Sequence, residues 1–171
     1  MKKTVHWTEL DLKEETVVKI SRVAKTVKGG RRIRFNAIVT VGNGNGYVGV
    51  GLGKANQVID AVNKGKEDAK RNIVYIPLKG STIEHQIVGK NGAGKVLLRP
   101  ATPGTGVIAG GPVRAIMDQV GIHDILAKNL GSNNAHNIVK ATIDALRKLH
   151  DPLEVAAKRG KKISEIYRIR K

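Results

Sequence analysis

The stretch RRIRFNAIVTV, residues 31–41, alternates along its length. Ile33, Phe35, Ala37, Val39 and Val41 fall on one face; Arg32, Arg34, Asn36 and Thr40 fall on the other, with Ile38 the exception. A period of two predicts a half-buried strand. Upstream, TVVKISRVAK (16–25) reads as a second strand joined to it through KGG (28–30). Downstream, GYVGVGLGK (46–54) places Val48, Val50 and Leu52 on one face and Tyr47, Gly49, Gly51 and Gly53 on the other. Those glycines leave a bare backbone that a neighbour or an RNA can approach closely. From about residue 56 to 72, Val58, Ile59, Val62, Gly65, Ala69 and Ile73 recur at helical spacing as an inner stripe. The first unit is thus strand, strand, strand, helix.

YIPLKG (75–80) joins this to a second unit, with Pro77 and Gly80 as breakers. STIEHQIV (81–88) and KVLLRPA (95–101) read as strands, followed by the glycine-rich PGTGVIAGG (103–111). Pro112 opens a short helix carrying Val113, Ile116, Met117 and Val120, and Gly121 ends it. DILAKNLG (124–131) reads as a strand. A helix capped near 132–134 follows, with Ile138, Thr142, Leu146 and Leu149 inward. Asp151-Pro152 starts a last short helix that Gly160 stops, and the basic KKISEIYRIRK (161–171) is predicted to be extended, or mobile when alone. The division is 12–77, 78–150 and a short helix with basic tail over 151–171. Each of the first two units buries only a modest core.

The 171 residues carry 31 Lys and Arg against 14 Asp and Glu, a formal charge of +17. Such a charge opposes compaction unless a partner neutralises it, and a nucleic-acid backbone is the usual one. No apolar run reaches the roughly 18 residues of a membrane span, and Lys2 and Lys3 precede no apolar core of a signal peptide. With no cysteine, disulfides and thiolate zinc sites are excluded. The expectation is a soluble cytoplasmic protein. Trp7, Phe35, Tyr47, Tyr75 and Tyr167 are the only large aromatics, too few for serial base stacking. Phosphate and shape recognition of folded RNA fits better.

Two glycine motifs imitate nucleotide sites. GKNGAGKV (89–96) meets G-x-x-x-x-G-K but offers Val96 where magnesium needs a hydroxyl, and Pro100 and Pro103 stand where a helix should run. It reads as a hairpin turn. Gly44-Asn45-Gly46-Tyr47-Val48-Gly49 matches G-x-G-x-x-G but precedes a strand instead of opening a helix. Gly110-Gly111-Pro112 reads as a tight helix entry, although free N–H groups there, with Arg114 one step inside, can bind an anion. His6, His85, His123, His136 and His150 have no metal-ligand spacing, and His123-Asp124 reads as a surface turn. No catalytic residue set, metal ligand set or cofactor site assembles.

Charge distribution is the strongest signal. Between Thr16 and Ile59 there is no acidic residue, while Lys19, Arg22, Lys25, Lys28, Arg31, Arg32, Arg34 and Lys54 are basic. Solvated faces normally mix signs. A single-sign hairpin with Gly29 and Gly30 at its tip reads as a probe entering an RNA groove. The tail repeats the theme with Lys158, Arg159, Lys161, Lys162, Arg168, Arg170 and Lys171 against Glu165, where a merely solubilising role is nearly as good a reading.

RVAKTVKGGRRIRFNAIVTVGNGNGYVGVGLGKA (22–55) and GTGVIAGGPVRAIMDQVGIHDILAKNLGSNNAHNIVKATIDAL (104–146) resemble the bacterial family of small-subunit ribosomal protein number five, over about residues 12–160. Thr40 and Asn43 depart from the aliphatic residue and Asp of that pattern. The resemblance implies an α+β chain: a double-stranded-RNA-binding-like sheet-plus-helix domain, then an α+β domain with a left-handed β-α-β crossover. General topology favours the opposite hand, so periodicity alone cannot supply that feature. It further implies small-subunit rRNA as ligand, ribosomal proteins four and eight as neighbours and the mRNA entry path nearby. It places the loop 25–31 near the decoding head and its spectinomycin site, with a contribution to subunit assembly and decoding accuracy. Rival classes are a free-standing RNA remodeller, opposed by the failed phosphate loop, and a nucleoid DNA binder, opposed by the order of elements.

Overall fold

The computed structural model describes residues 11–166. β1 (Thr16–Val27) and β2 (Gly30–Gly42) pair antiparallel around Lys28 and Gly29. β3 (Tyr47–Ala55) lies beside β2, and α1 (Val58–Arg71) folds back across the sheet. The order strand, strand, strand, helix is as the pattern predicts. A two-residue β4 (Val74–Tyr75), too short to show a period, pairs with Tyr47 and Val48 and completes a sheet ordered β1-β2-β3-β4.

The glycines of β3 face α1, not a ligand. A Cβ on Gly53 would lie 1.7 Å from the Ala61 carbonyl oxygen, and one on Gly51 would lie 2.1 Å from that of Gly65. Helix and strand therefore meet backbone to backbone, which only small residues allow. This corrects the predicted inner stripe. Ala61, Gly65 and Ala69 are buried, while Ile59 is turned out and 71% exposed.

The second unit runs β5 (Ile87–Asn91), β6 (Gly94–Pro100), β7 (Val107–Ile108), α2 (Gly111–Val120), β8 (Ile125–Asn129) and α3 (Ala135–Arg147). Its sheet is ordered β5-β6-β8-β7, with β7 parallel to β8, so β7-α2-β8 is a parallel β-α-β unit. The strand predicted at 81–88 begins only at Ile87; before it, Lys79 and Thr82 form an isolated bridge. β7 sits inside the glycine-rich passage and is too short to signal itself. GKNGAGKV is the β5–β6 hairpin, with Asn91 opposite Gly94. Its glycines admit α3: a Cβ on Gly89 would lie 2.0 Å from the Ala141 carbonyl oxygen.

Ile38, the exception in β2, is explained by what covers it. Ile38, Val48 and Ile76 from the first unit join Ile83, Leu98, Ile116, Met117, Ile125 and Leu146 in one buried cluster. Ala37, Val39, Ala55 and Ala61 form a smaller cluster under α1. The end of β2 is thus covered on both faces, which also buries Thr40. The GNGNG loop is a docking element as well as a turn. Gly44 N–H donates to the Gln119 carbonyl at 3.0 Å, and Gly46 N–H to that of Val120 at 2.9 Å, at the C-terminal end of α2.

α4 (Pro152–Arg159) starts at Asp151, whose carboxylate accepts from Leu153 N–H, and stops at a left-handed Gly160. A short α5 (Ile163–Ile166) stands where an extended segment is predicted. Arg168, Arg170 and Lys171 lie outside the described residues. Among the described residues, no helix is long and apolar enough to cross a membrane.

Candidate nucleic-acid interface

From Thr16 to Asn36 no residue is buried, so the hairpin is an arm that leaves the core at Ala37. Seven residues separate Ala37 from Gly30, a reach of about 23 Å at the usual rise per residue. The tip is a two-residue connection between Val27 and Gly30, with Gly29 at φ 94° and Gly30 at φ 144°. No atom lies within 4 Å of where a Cβ on either glycine would sit.

Register sorts the basic residues by face. Lys19 opposes Ile38, Lys25 opposes Arg32, Val23 opposes Arg34, and Lys54 opposes Asn36. Directly opposed residues share a face, so Lys19, Lys25, Arg32, Arg34 and Lys54 project to one side. Arg22 and Arg31 oppose Phe35 and Thr26 and belong to the other side, and Lys28 lies in the turn. The sequence signal that groups all eight is therefore divided by the pleat: five on one face, two on the other, one at the tip. Lys25, Arg32, Arg34 and Lys54 line a hollow of about 240 Å³ floored by Val23 and Val27.

This grouping repels itself. Like charges placed directly opposite across a ladder are destabilising, and Lys25 and Arg32 are such a pair. Among the described residues, none of the eight basic side chains forms an ion pair; the ion pairs present are Lys66–Glu15, Lys79–Glu84, Lys148–Asp144 and Lys158–Glu154. The last takes Lys158 of the basic tail segment into a helix pair.

The other candidate features have structural partners. Arg114 Nη2 donates to the Val107 carbonyl at 2.7 Å, which ties the helix entry at Gly110 back to β7. Asp124 is not a surface-turn residue. It is 5% exposed and accepts from Gly106 N–H at 3.0 Å, and the Ser81 hydrogen bond, with the Gly106 and Gly104 amides, lowers its pKa. His123 beside it is exposed. His85 and His150 stack with ring centroids 5.9 Å apart. Among the described residues, no three His, Cys, Asp or Glu side chains gather as a metal site.

The family model "Ribosomal protein S5, N-terminal domain" matches residues 13–77, and "Ribosomal protein S5, C-terminal domain" matches residues 89–159. The chain is 57% identical over 152 residues to the small ribosomal subunit protein uS5 of Syntrophobacter fumaroxidans, covering 89% of this chain and 92% of that protein. It is 53% identical over 153 residues to uS5 of Salinibacter ruber, covering 90% and 87%. The chain belongs to the ribosomal protein S5 family. The basic hairpin and the sheet that carries it fall within the N-terminal S5 match, and the parallel β-α-β unit falls within the C-terminal one.

Proposed function

We propose that this S5-family chain is a structural constituent of the small ribosomal subunit, bound to its rRNA in the cytoplasm, and not an enzyme. The observation that carries the reading is the uncompensated face of Lys19, Lys25, Arg32, Arg34 and Lys54, on a hairpin with no buried residue from Thr16 to Asn36 and on the strand beside it. An RNA backbone supplies the missing negative charge, and the bare tip of Lys28, Gly29 and Gly30 fits where a side chain would collide with a groove wall. Arg22 and Arg31 on the opposite face allow contact with both walls of such a groove.

Family membership supports the finer placement. The hairpin tip lies near the decoding head and its spectinomycin site, ribosomal proteins four and eight are neighbours, and the mRNA entry path is close. Through these contacts the chain contributes to subunit assembly and accuracy. The 12–77 unit supplies the rRNA grip, and 78–150 braces it through the shared cluster around Ile38.

The test is the salt dependence of binding to a small-subunit rRNA fragment. Each phosphate contact contributes roughly 0.7 to 0.9 to the slope of log K against log salt. Replacing Lys28, Arg31 and Arg32 with Ala together should flatten that slope by about two to three. An unchanged slope would move the RNA site off the hairpin.

A further inference from the structure

A second hollow lies away from the hairpin tip, where the edge of β3 and the end of α1 approach α3. β4 pairs only with Tyr47 and Val48, so among the described residues the edge of β3 away from β2 has no strand neighbour beyond Val48. On that edge Leu52 N–H donates to Asp68 Oδ2 at 2.9 Å. The cleft between this edge and α3 holds about 750 Å³, with Ile38, Leu52 and Ile143 lining it and Lys140 and Arg147 among its walls. That volume is within the roughly 300–1,000 Å³ of small-ligand sites. Leu52 is 45% exposed there.

Two relationships identify the occupant. Lys54 opposes Asn36 and Leu52 opposes Ile38, so the cleft continues the same sheet face that carries Arg32 and Arg34. Second, its cations are available. Neither Lys140 nor Arg147 forms an ion pair among the described residues. The nearby carboxylates are engaged: Asp68 accepts from Leu52 N–H and Asn72 Nδ2, and Asp144 from Lys90 N–H and Lys148 Nζ. An apolar patch of Ile38, Leu52 and Ile143 beside two cations, with the lining carboxylates already hydrogen-bonded and the basic sheet face continuous with it, matches a nucleotide: an apolar base and an anionic linkage.

Building on the hairpin reading above, we propose that this cleft receives one unpaired nucleotide of the RNA that the hairpin grips. Its base packs on Ile38, Leu52 and Ile143, and its phosphates face Lys140 and Arg147. Arg147 can also lay its guanidinium plane on the base.

The test uses the full chain and two short RNA duplexes, one uninterrupted and one with a single central bulged nucleotide. Wild type is expected to bind the bulged duplex at least about fivefold more tightly, the low end of what one base contact supplies. Leu52→Ser, and separately Lys140→Ala with Arg147→Ala, should reduce that preference to near unity while affinity for the uninterrupted duplex holds. The triple hairpin variant should weaken both RNAs alike. Equal wild-type affinities would overturn the cleft assignment. So would cleft variants that weaken both RNAs equally, or that alter neither while slowing subunit assembly, which would give the cleft to a protein. Failure of wild type to bind either RNA would instead sink the hairpin reading.

Discussion

Gln119 on α2 donates from Nε2 to Thr16 Oγ1 at 2.8 Å, joining residues 103 apart in the chain. The same nitrogen donates to the Glu14 carbonyl at 3.0 Å, and the residue is 6% exposed. One buried amide thus ties the start of β1 to the second unit, at the base of the arm that carries the basic face. Docking there fixes where the hairpin points.

Gln119→Ala should therefore destabilise the whole chain, since it leaves the Thr16 hydroxyl and the Glu14 carbonyl without their partner. The cost is about 1–3 kcal/mol, or a melting temperature lower by a few degrees for a chain of this size. Calorimetry of the purified protein reads it. An unchanged melting temperature would show that the Gly44 and Gly46 amides on the end of α2 hold the units together without it.

A second prediction separates two kinds of glycine. A Cβ on Gly53 would lie 1.7 Å from the Ala61 carbonyl oxygen and 2.5 Å from Gly65 N, so α1 must lift from the sheet to admit it. Gly110 has φ −68° and nothing within 4 Å of an added Cβ. Gly53→Ala should cost about 3 kcal/mol, at the upper end for overpacked cores because the obstacle is backbone, whereas Gly110→Ala should melt within about a degree of wild type. Equal behaviour of the two variants would contradict the close helix–strand contact.

The long elements were legible because their apolar residues recur along the sequence with a strand or helix period. β2, α2 and α3 appear where alternation and helical spacing put them, and Asn134, Asp151, Gly121 and Gly160 act as the caps their residue types signal. What was not legible depends on a second layer. Ile38 breaks the alternation of β2 because the second unit covers that face, and Ile59 leaves the α1 stripe because Gly51 and Gly53 bring the backbones too close for it. Asp124 appeared to be a turn residue because its acceptors' partners, Gly106 and Ser81, are far away in sequence. The basic hairpin stood out as a run of single sign, but its division between two faces needed the register. The cleft cations Lys140 and Arg147 lie on a helix with Asp144 between them, so no sign imbalance marked them.

Acid should weaken the fold through carboxylates with depressed pKa values. Asp124 is held below its ordinary 3.8 by the Ser81 hydrogen bond and the Gly106 and Gly104 amides, against the opposing effect of burial. Glu15 is held below 4.5 first by its hydrogen bond from Lys66. A carboxylate with a lowered folded pKa stabilises at pH above its unfolded value, and that contribution is lost as pH falls through the folded one. Stability should thus be level in these groups above about pH 5 and decline as pH falls below 4. Asp124→Asn should start lower and show a shallower decline in urea titrations across that range. A variant with the wild-type slope would remove Asp124 from the acid response.

At the hairpin tip, Gly30 adopts φ 144° and Gly29 adopts φ 94°, both in the region that side chains resist. Open space surrounds each, so the protein itself does not require a bare backbone there beyond the turn. Gly30→Val should strain the two-residue connection locally, at about 1–3 kcal/mol. The arm contributes no buried residue before Ala37, so the cores should stay intact and the melting temperature should stay within a few degrees of wild type. The larger effect should be on RNA, because a branched side chain sits where the tip meets the groove. Affinity for a small-subunit rRNA fragment should fall several-fold, and cells carrying the variant should show altered spectinomycin response or slowed subunit assembly. Gross unfolding would make the tip glycines part of the scaffold. Normal RNA affinity, assembly and drug response together would make the tip a bystander and leave the grip to the face formed by Lys19, Lys25, Arg32, Arg34 and Lys54.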